Sequence, residues 1–389
     1  MPDVCLYFQV HQPNRLKPYT FFDIGNDPFY EDDELNREVL SEVCDRCYLP
    51  ANHLFTDLIE AGDGKVKINL SLTGVFLEQL QHHRPDVLAS FQDLVATGGV
   101  ELLAETYYHS LSFRSSREEF VRQVKKHGDL IEELFGQSPT VFRHTELIYF
   151  NELAAQVEQM GYTAQLAEGV GRVLQGRSPN HLYQAPNVAT MKTILRNNEL
   201  SDDVSFRFAD SQWNEYPLSP EKHARWVQQS GGDVCGIFLD YETIGEHIHR
   251  DQGIFQFWGG LPAALAAEGC HLLSVSEVAA KHEVAGIYDC HLPTSWADKS
   301  KDLGAWKSNP MQLEARAKIH SLEKAVKAHR DPDLLHQWAK MQTSDHFYYM
   351  FTGEGEDREV HNHFSPYETP YDGYLYFMNA LSDLQVRLG

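Results

Sequence analysis

Apolar runs separated by amphipathic stretches set the pattern of this chain. Seven segments read as strands, at 4–10, 66–72, 100–107, 140–144, 163–166, 204–208 and 234–240. Several are separated by helical periodicity. Residues 118–135 place Phe120, Val124, Ile131 and Leu134 on one face and end at Gly136, a suitable C-cap. Residues 151–160 carry Leu153, Val157 and Met160 at spacings of four and three before Gly161. Strands alternating with helices predict an α/β fold whose parallel sheet closes, or nearly closes, into a barrel. With some seven strands in view, an incomplete barrel is as reasonable as eightfold closure. Residues 169–205, with Pro179 and Pro186, read as a long irregular insert.

Beyond about residue 290 the pattern changes. Met311, Ala315, Ile319, Leu322 and Val326 form a helical stripe, Leu334, Trp338 and Met341 a second, and Phe377, Leu381, Leu384 and Leu388 a third. These stripes predict a C-terminal helical bundle over 291–389, packed on a catalytic unit over 1–290. Asp345 falls four residues after Met341, so it continues an apolar face. A buried carboxylate is costly unless partnered. Asp345 is therefore expected either to be ion-paired or to face a site between the two parts, with His346, Phe347, Tyr348 and Tyr349 as an aromatic wall.

Composition narrows the partners. The 389 residues hold 33 basic and 56 acidic side chains, a net charge of −23, which argues against nucleic acid or an anionic membrane. Aromatic residues make up 12% of the chain and suit an uncharged ligand with apolar faces. No run approaches the roughly 20 apolar residues of a membrane span. The N-terminus lacks the basic region of a secretion signal, so a cytoplasmic protein is expected. Of the six cysteines only Cys44 and Cys47 are close, and no second pair completes a zinc site, so idle thiols are expected.

The candidate chemistry sits at strand ends, where parallel barrels keep their catalytic groups. The run Cys235-Gly236-Ile237-Phe238-Leu239 is apolar throughout, as doubly covered strands are, and stops at Asp240-Tyr241-Glu242-Thr243. Pro13 ends the first strand and leaves His11 and Gln12 at the rim. Glu101 and Glu105 share one face of the third strand, which runs on to His109. The fourth ends at Glu146, close to Arg143 and His144, and a positive neighbour keeps a carboxyl ionised. Two carboxyls, one ionised and one protonated, suit glycoside cleavage. Glu146 fits the first state. Asp240, on a buried strand beside Glu242, fits the second. His247 and His249 alternate in direction and lack an evident third metal ligand, and there is no phosphate-cradling glycine loop or Gly-x-Ser-x-Gly elbow.

Five stretches then resemble, in order, the signature regions of glycoside hydrolase family 57. These are His11-Gln12-Pro13, the segment from Val100-Glu101 to His109, Phe142-Arg143-His144-Thr145-Glu146-Leu147, the segment from Phe238 to His247, and Gln342-Thr343-Ser344-Asp345-His346. Ser295-Trp296 and Ala305-Trp306 are similar to its α-amylase-type members. The resemblance implies an incomplete (β/α)7 barrel with a C-terminal helical domain completing the site, and a retaining mechanism on α-glucans with no cofactor or required metal. It implies Glu146 as nucleophile and Asp240 as general acid/base. His11, Glu101, Glu242 and Asp345 would be substrate-binding or site-organising positions, with Trp306 and Tyr348 as aromatic subsites; Gln12, His109 and His247 are further candidate substrate-binding residues within the same stretches. The run Lys307-Ser308-Asn309-Pro310 departs from the expected pattern at the edge of the site. A 4-α-glucanotransferase or a 1,4-α-glucan branching enzyme would use the same residues. A non-catalytic glucan-binding protein, or a metal-dependent deacetylase or mannosidase on a related barrel, are the other readings. Oligomeric state is left open.

Overall fold

In a computed structural model the protein is described over residues 1–389, apart from the side chain of Glu356. Ten strands occur among the described residues: β1 Asp3–Val10, β2 Ile68–Leu72, β3 Val100–Leu102, β4 Val141–Arg143, β5 Ala164–Glu168, β6 Leu182–Gln184, β7 Lys192–Arg196, β8 Val234–Asp240, β9 His271–Leu272 and β10 Val284–Ile287. The fold is mixed α/β around a largely parallel sheet. One path through it, β4-β5-β7-β8-β1-β2-β3, is parallel throughout. A bridge between Ala104 and Phe142 joins the two ends of this path. Ala104 donates its N–H to Val141 and accepts from Arg143, at 2.9 and 2.8 Å, so the strands form a ring. β6 pairs antiparallel with β7, and β10 lines up outside it.

β1 is buried along its whole length because it is covered on both faces. Its odd residues, among them Cys5 and Tyr7, point inside the ring with Leu103, Val141, Leu166, Ile194 and Phe238. Its even residues Val4, Leu6, Phe8 and Val10 pack outward against helices that include Leu49–Ala61 and Ile254–Ala267. The helix Val275–Lys281 contributes Val278 and Ala279 to the ring interior. It closes the end of the ring opposite the C-terminal strand tips.

Two sequence expectations fail in one region. Residues 204–208 are not a strand; helix Asn198–Ser205 occupies their first part. The alternation Val-Ser-Phe-Arg-Phe is overridden by the Asn197 cap, whose side chain accepts from the Leu200 N–H at 3.1 Å. Leu200 and Val204 then bury on one face and Phe206 is left exposed. Residues 169–205 are not an irregular insert either, since they contain β6, β7 and this helix. β7 had been masked by its polar flanks and the nearby prolines.

The expected helix 118–135 is Arg117–Phe135, with Ser116 accepting from the Glu119 N–H and Gly136 in the left-handed conformation. Helix Asn151–Gln159 matches the second expectation. The C-terminal stripes also bury. Ala315, Ile319, Val326, Trp338, Phe377 and Leu381 share one cluster with Tyr107, Tyr108 and Phe142 of the strand-bearing part. Helix Pro332–Lys340 ends before Asp345, which begins its own short helix, Ser344–Tyr348. All six cysteines are buried and free, Cys44 and Cys47 in a π-helical turn, Cys44–Tyr48.

Gly245, three residues beyond Glu242, sits at φ 107° with the Arg46 carbonyl oxygen 2.1 Å from where a Cβ would stand. No side chain fits without moving backbone. Gly245→Ala should therefore lower stability by about 3 kcal/mol, measured by denaturant unfolding, and should shift the loop that carries Glu242.

Candidate active site

The strand tips gather a chain of ionisable groups. Glu146 lies in a single turn after β4, in the left-handed region at φ 57°, with Leu147 at 47°. His109 adopts φ 50°. Such conformations cost of order 1–3 kcal/mol for residues with side chains and persist where the surroundings over-determine them. Here they turn both side chains toward each other. His109 Nε2 donates to Glu146 Oε1 at 2.9 Å, and its Nδ1 lies 3.4 Å from Glu105 Oε2. Trp296 Nε1 donates to the other oxygen of Glu146 at 2.7 Å. Glu105 is fully buried and also accepts from Gln9 at 3.2 Å. The buried Arg143 guanidinium lies 4.0 Å from Glu105 and stacks over the Trp296 ring at 5.1 Å.

These contacts set protonation states. Burial works against a charge on Glu146, but the His109 hydrogen bond and charge, Arg143 and Trp296 outweigh it and hold the carboxyl below its ordinary value. Burial likewise opposes a charge on His109, yet its bonds to Glu105 and Glu146 raise it to about 9. His109 is thus a cation between two carboxylates. Asp240 behaves in the opposite way. Burial, then the charge of Glu146, push it up to about 6 against the pull of Arg143 and Arg196. Its half-buried carboxyl has no hydrogen-bond partner among the described residues, so it is free to meet a ligand. The arrangement pairs an ionised carboxylate with a carboxyl that stays protonated up to about pH 6.

Further contacts fix the rim. Glu242 is buried, accepts from the Tyr48 hydroxyl at 2.5 Å, and is raised to about 8 by burial and by Asp240. Tyr48 comes from the π-helical turn Cys44–Tyr48, a local widening that often marks functional positions. His11 stacks on His109 with ring centroids 4.1 Å apart. Burial, then the neighbouring His109, keep His11 below its ordinary value. As a neutral ring it accepts from Thr73 at Nδ1 (2.8 Å) and donates from Nε2 to Asp345 at 3.0 Å. Burial opposes a charge on Asp345 too, but His11 holds it ionised, well below the usual range. Asp345 is therefore both paired and at the site, although its position comes from a separate helix rather than from the preceding stripe.

Several expected binding residues lie elsewhere. Glu101 does share the inward face with Glu105, but β3 ends at Leu102 and Glu101 is near the closed end of the ring. There it accepts from the Ser276 N–H at 2.9 Å, at the start of the plugging helix. Four residues along a strand span about 13 Å, which separates the two carboxyls' tasks. Gln12 is buried and occupied by Tyr48 and Arg15. His247 is exposed and packs edge-on against Phe364. Trp306 is 1% exposed, with its ring 6.2 Å from that of Tyr348, so it offers no open face. Tyr348 is itself stacked on His361 at 3.5 Å. Conversely, Gln9, Tyr48 and Thr73 carry no signal of their own in the sequence, and Glu105 is marked there only by sharing a strand face with Glu101, because their roles depend on partners distant in sequence. The stretch Ser295-Trp296 was visible, but not its bond to Glu146.

His11, His109 and Asp345 offer ligand atoms within 4.8 Å of one another, the geometry of a metal cluster. The donors do not fit that use. Both His109 nitrogens carry protons toward carboxylates, and both His11 nitrogens are engaged by Thr73 and Asp345. A metal needs deprotonated lone pairs.

A carboxyl held ionised and a second held protonated up to about pH 6, both at C-terminal strand ends, fit a glycosidase-type site. Residues 5–291 match the family model described as glycosyl hydrolase family 57. The chain belongs to that family and is a glycoside hydrolase by class. A Methanocaldococcus jannaschii protein named "Putative alpha-amylase" is 41% identical over 396 residues, covering 98% of this chain and 84% of that one. Among solved structures, 4-α-glucanotransferase from Thermococcus litoralis superposes with a TM-score of 0.69 at 15% identity over 89% of this chain. This chain spans only 56% of that enzyme's length. A family 57 branching enzyme from Pyrococcus horikoshii gives 0.70 at 14% identity, over 92% of this chain and 88% of that one. These two likenesses are of fold.

Trp296→Phe keeps the ring over Arg143 and removes only the N–H to Glu146. A hydrogen bond to a charged group contributes about 1.5–3 kcal/mol. Turnover should fall at least about tenfold, and the acid limb of the pH–rate profile should move to higher pH as Glu146 becomes less acidic. A pH series of the variant checks this.

Proposed function

We propose that the protein cleaves α-1,4-glucosidic bonds of starch-, glycogen- or maltodextrin-type glucans with retention of configuration. The observation that carries this reading is the opposite protonation of Glu146 and Asp240. Glu146, ionised between His109 and Trp296, attacks the anomeric carbon as the bond to the leaving oxygen breaks. Asp240 gives its proton to that oxygen. Asp240, now a carboxylate, takes a proton from water, whose oxygen attacks the same carbon and releases Glu146. His109 holds Glu146 in place and neutralises the charge it regains. Glu242, His11 and Asp345 are read as the surrounding sugar contacts; His11 and Asp345 have polar atoms suited to hydroxyls.

The family, the name of the Methanocaldococcus relative and the glucan-active names of the structural neighbours support this substrate class. We read the ring as a seven-stranded (β/α)7 barrel over 1–290, with 291–389 as a helical domain closing over its strand tips. A β-strand bridge between Ser110 and Thr343 and a bond from the Ser344 N–H to the His109 carbonyl at 2.9 Å support that coupling. No helix among the described residues is long and apolar enough to cross a membrane. Six free thiols suit a reducing compartment, and we assign the cytoplasm.

The protonation states give a sign. Asp240 must be protonated to donate, so activity should be lost as pH rises through about 6. Glu146 must be ionised to attack, so the acid limb should lie below the usual carboxylate range. A kcat/KM profile with its fall on the alkaline side near 6 checks the assignment. Glu146→Gln should reduce turnover by about 10⁴-fold or more while the protein stays folded; near-normal turnover would remove Glu146 from the mechanism. Chain-length analysis of products from maltoheptaose should show only shorter sugars. Longer products would instead assign transfer to a sugar acceptor at the same site.

A further inference from the structure

Away from the carboxylates, a surface cavity of about 320 Å³ lies where the turn Ser112–Arg114 meets the helices Gly304–Lys307 and Pro310–Ser321. Arg114, Lys307, Arg316 and His320 line it, with Ser115 and Leu313. In a chain of net charge −23, three cations here share a wall that no carboxylate lines. Among the described residues none of the three forms an ion pair, whereas Arg84, Arg122 and Arg196 all do. Arg316 Nε and His320 Nδ1 are buried without a hydrogen-bond partner. Burial and the charge of Arg114 pull Arg316 down to about 10, and burial, Arg114 and Arg316 lower Lys307 against the opposing charge of Asp302. The protein alone thus leaves the buried Arg316 Nε unmet, which is costly, and brings three like charges together at the surface.

An oxyanion bound among these groups would satisfy both. Guanidinium forks match phosphate oxygens, and lysine adds a mobile point charge. Three cations suit a dianion. A volume of about 320 Å³ is at the lower end of small-molecule sites, so there is room for more than a bare ion. We propose that this cavity binds a phosphoryl group, carried by free phosphate or by a phosphorylated sugar. Arg114 lies five residues after His109, and Lys307 directly follows Trp306. A bound phosphoryl group would therefore tie the segment that leads from the catalytic region to the helical part.

The test is titration of the full-length protein with inorganic phosphate at constant ionic strength, read by calorimetry and thermal shift. Saturable binding is expected, weakened at least about tenfold in Arg114→Gln/Arg316→Gln and about threefold in Lys307→Gln, in line with loss of charge-assisted bonds. Lys307 is exposed, so its variant is expected to fold even if the double variant does not. Glucose 1-phosphate or glucose 6-phosphate binding at least about tenfold more tightly than phosphate would assign the phosphoryl group to a sugar; equal or weaker binding would assign free phosphate. No saturable binding by any of these ligands, or binding unchanged in both variants, would overturn the proposal.

Discussion

The site depends on one buried cation. His109 stands between Glu105 and Glu146 and is kept protonated by them, while it and Arg143 keep both carboxylates ionised. Each member would be neutral if buried alone, because desolvation disfavours every one of these charges. Only the assembled set is stable as ions. This constraint explains the strained backbone at His109 and Glu146. The left-handed turns at both residues aim the two side chains at each other.

The same electrostatics separate Glu146 from Asp240. Negative charge on Glu146 is itself a cause of Asp240 remaining protonated to about 6. Among the described residues Asp240 has no bonding partner to stabilise its ion, whereas Glu146 has two. Difference in partners, not in depth, gives one residue the ionised state and the other the acid. The third carboxyl, Glu242, is held by Tyr48 and shares the crowding with Asp240.

The C-terminal part is coupled to this arrangement through specific anchors. Trp296 holds Glu146, and the loop beyond it is fastened where Arg172 donates to the carbonyls of Ser300 and Lys301, at 2.8 and 2.7 Å, and where His361 meets Asp298 at 3.2 Å. Asp345 reaches His11 from the helix Ser344–Tyr348. The acidic balance of the whole chain repels polyanions and leaves an uncharged ligand unaffected at long range. The cationic cavity at Arg316 is a local exception, acting within a Debye length of about 8 Å at physiological salt.

The sequence by itself determined where the main strands and helices would bury, because period-two and helical repeats of apolar residues report burial directly. It placed Glu146 and Asp240 at strand ends, since an apolar run that stops on a carboxyl marks both the strand and its rim. It did not reveal β7, whose short apolar centre is flanked by polar residues, nor the helix at 198–205, where a cap outweighed a strand-like alternation. The tertiary structure alone decided which of Glu101 and Glu105 belongs to the site, that Gln12 and Trp306 are buried away from it, and that Trp296, Tyr48 and Thr73 reach into it. The reason is physical. Burial patterns are local and repeat along the chain. Protonation and hydrogen bonding depend on distances between residues such as Glu146 and Trp296, which are 150 positions apart and meet only when the ring and the helices close over one another.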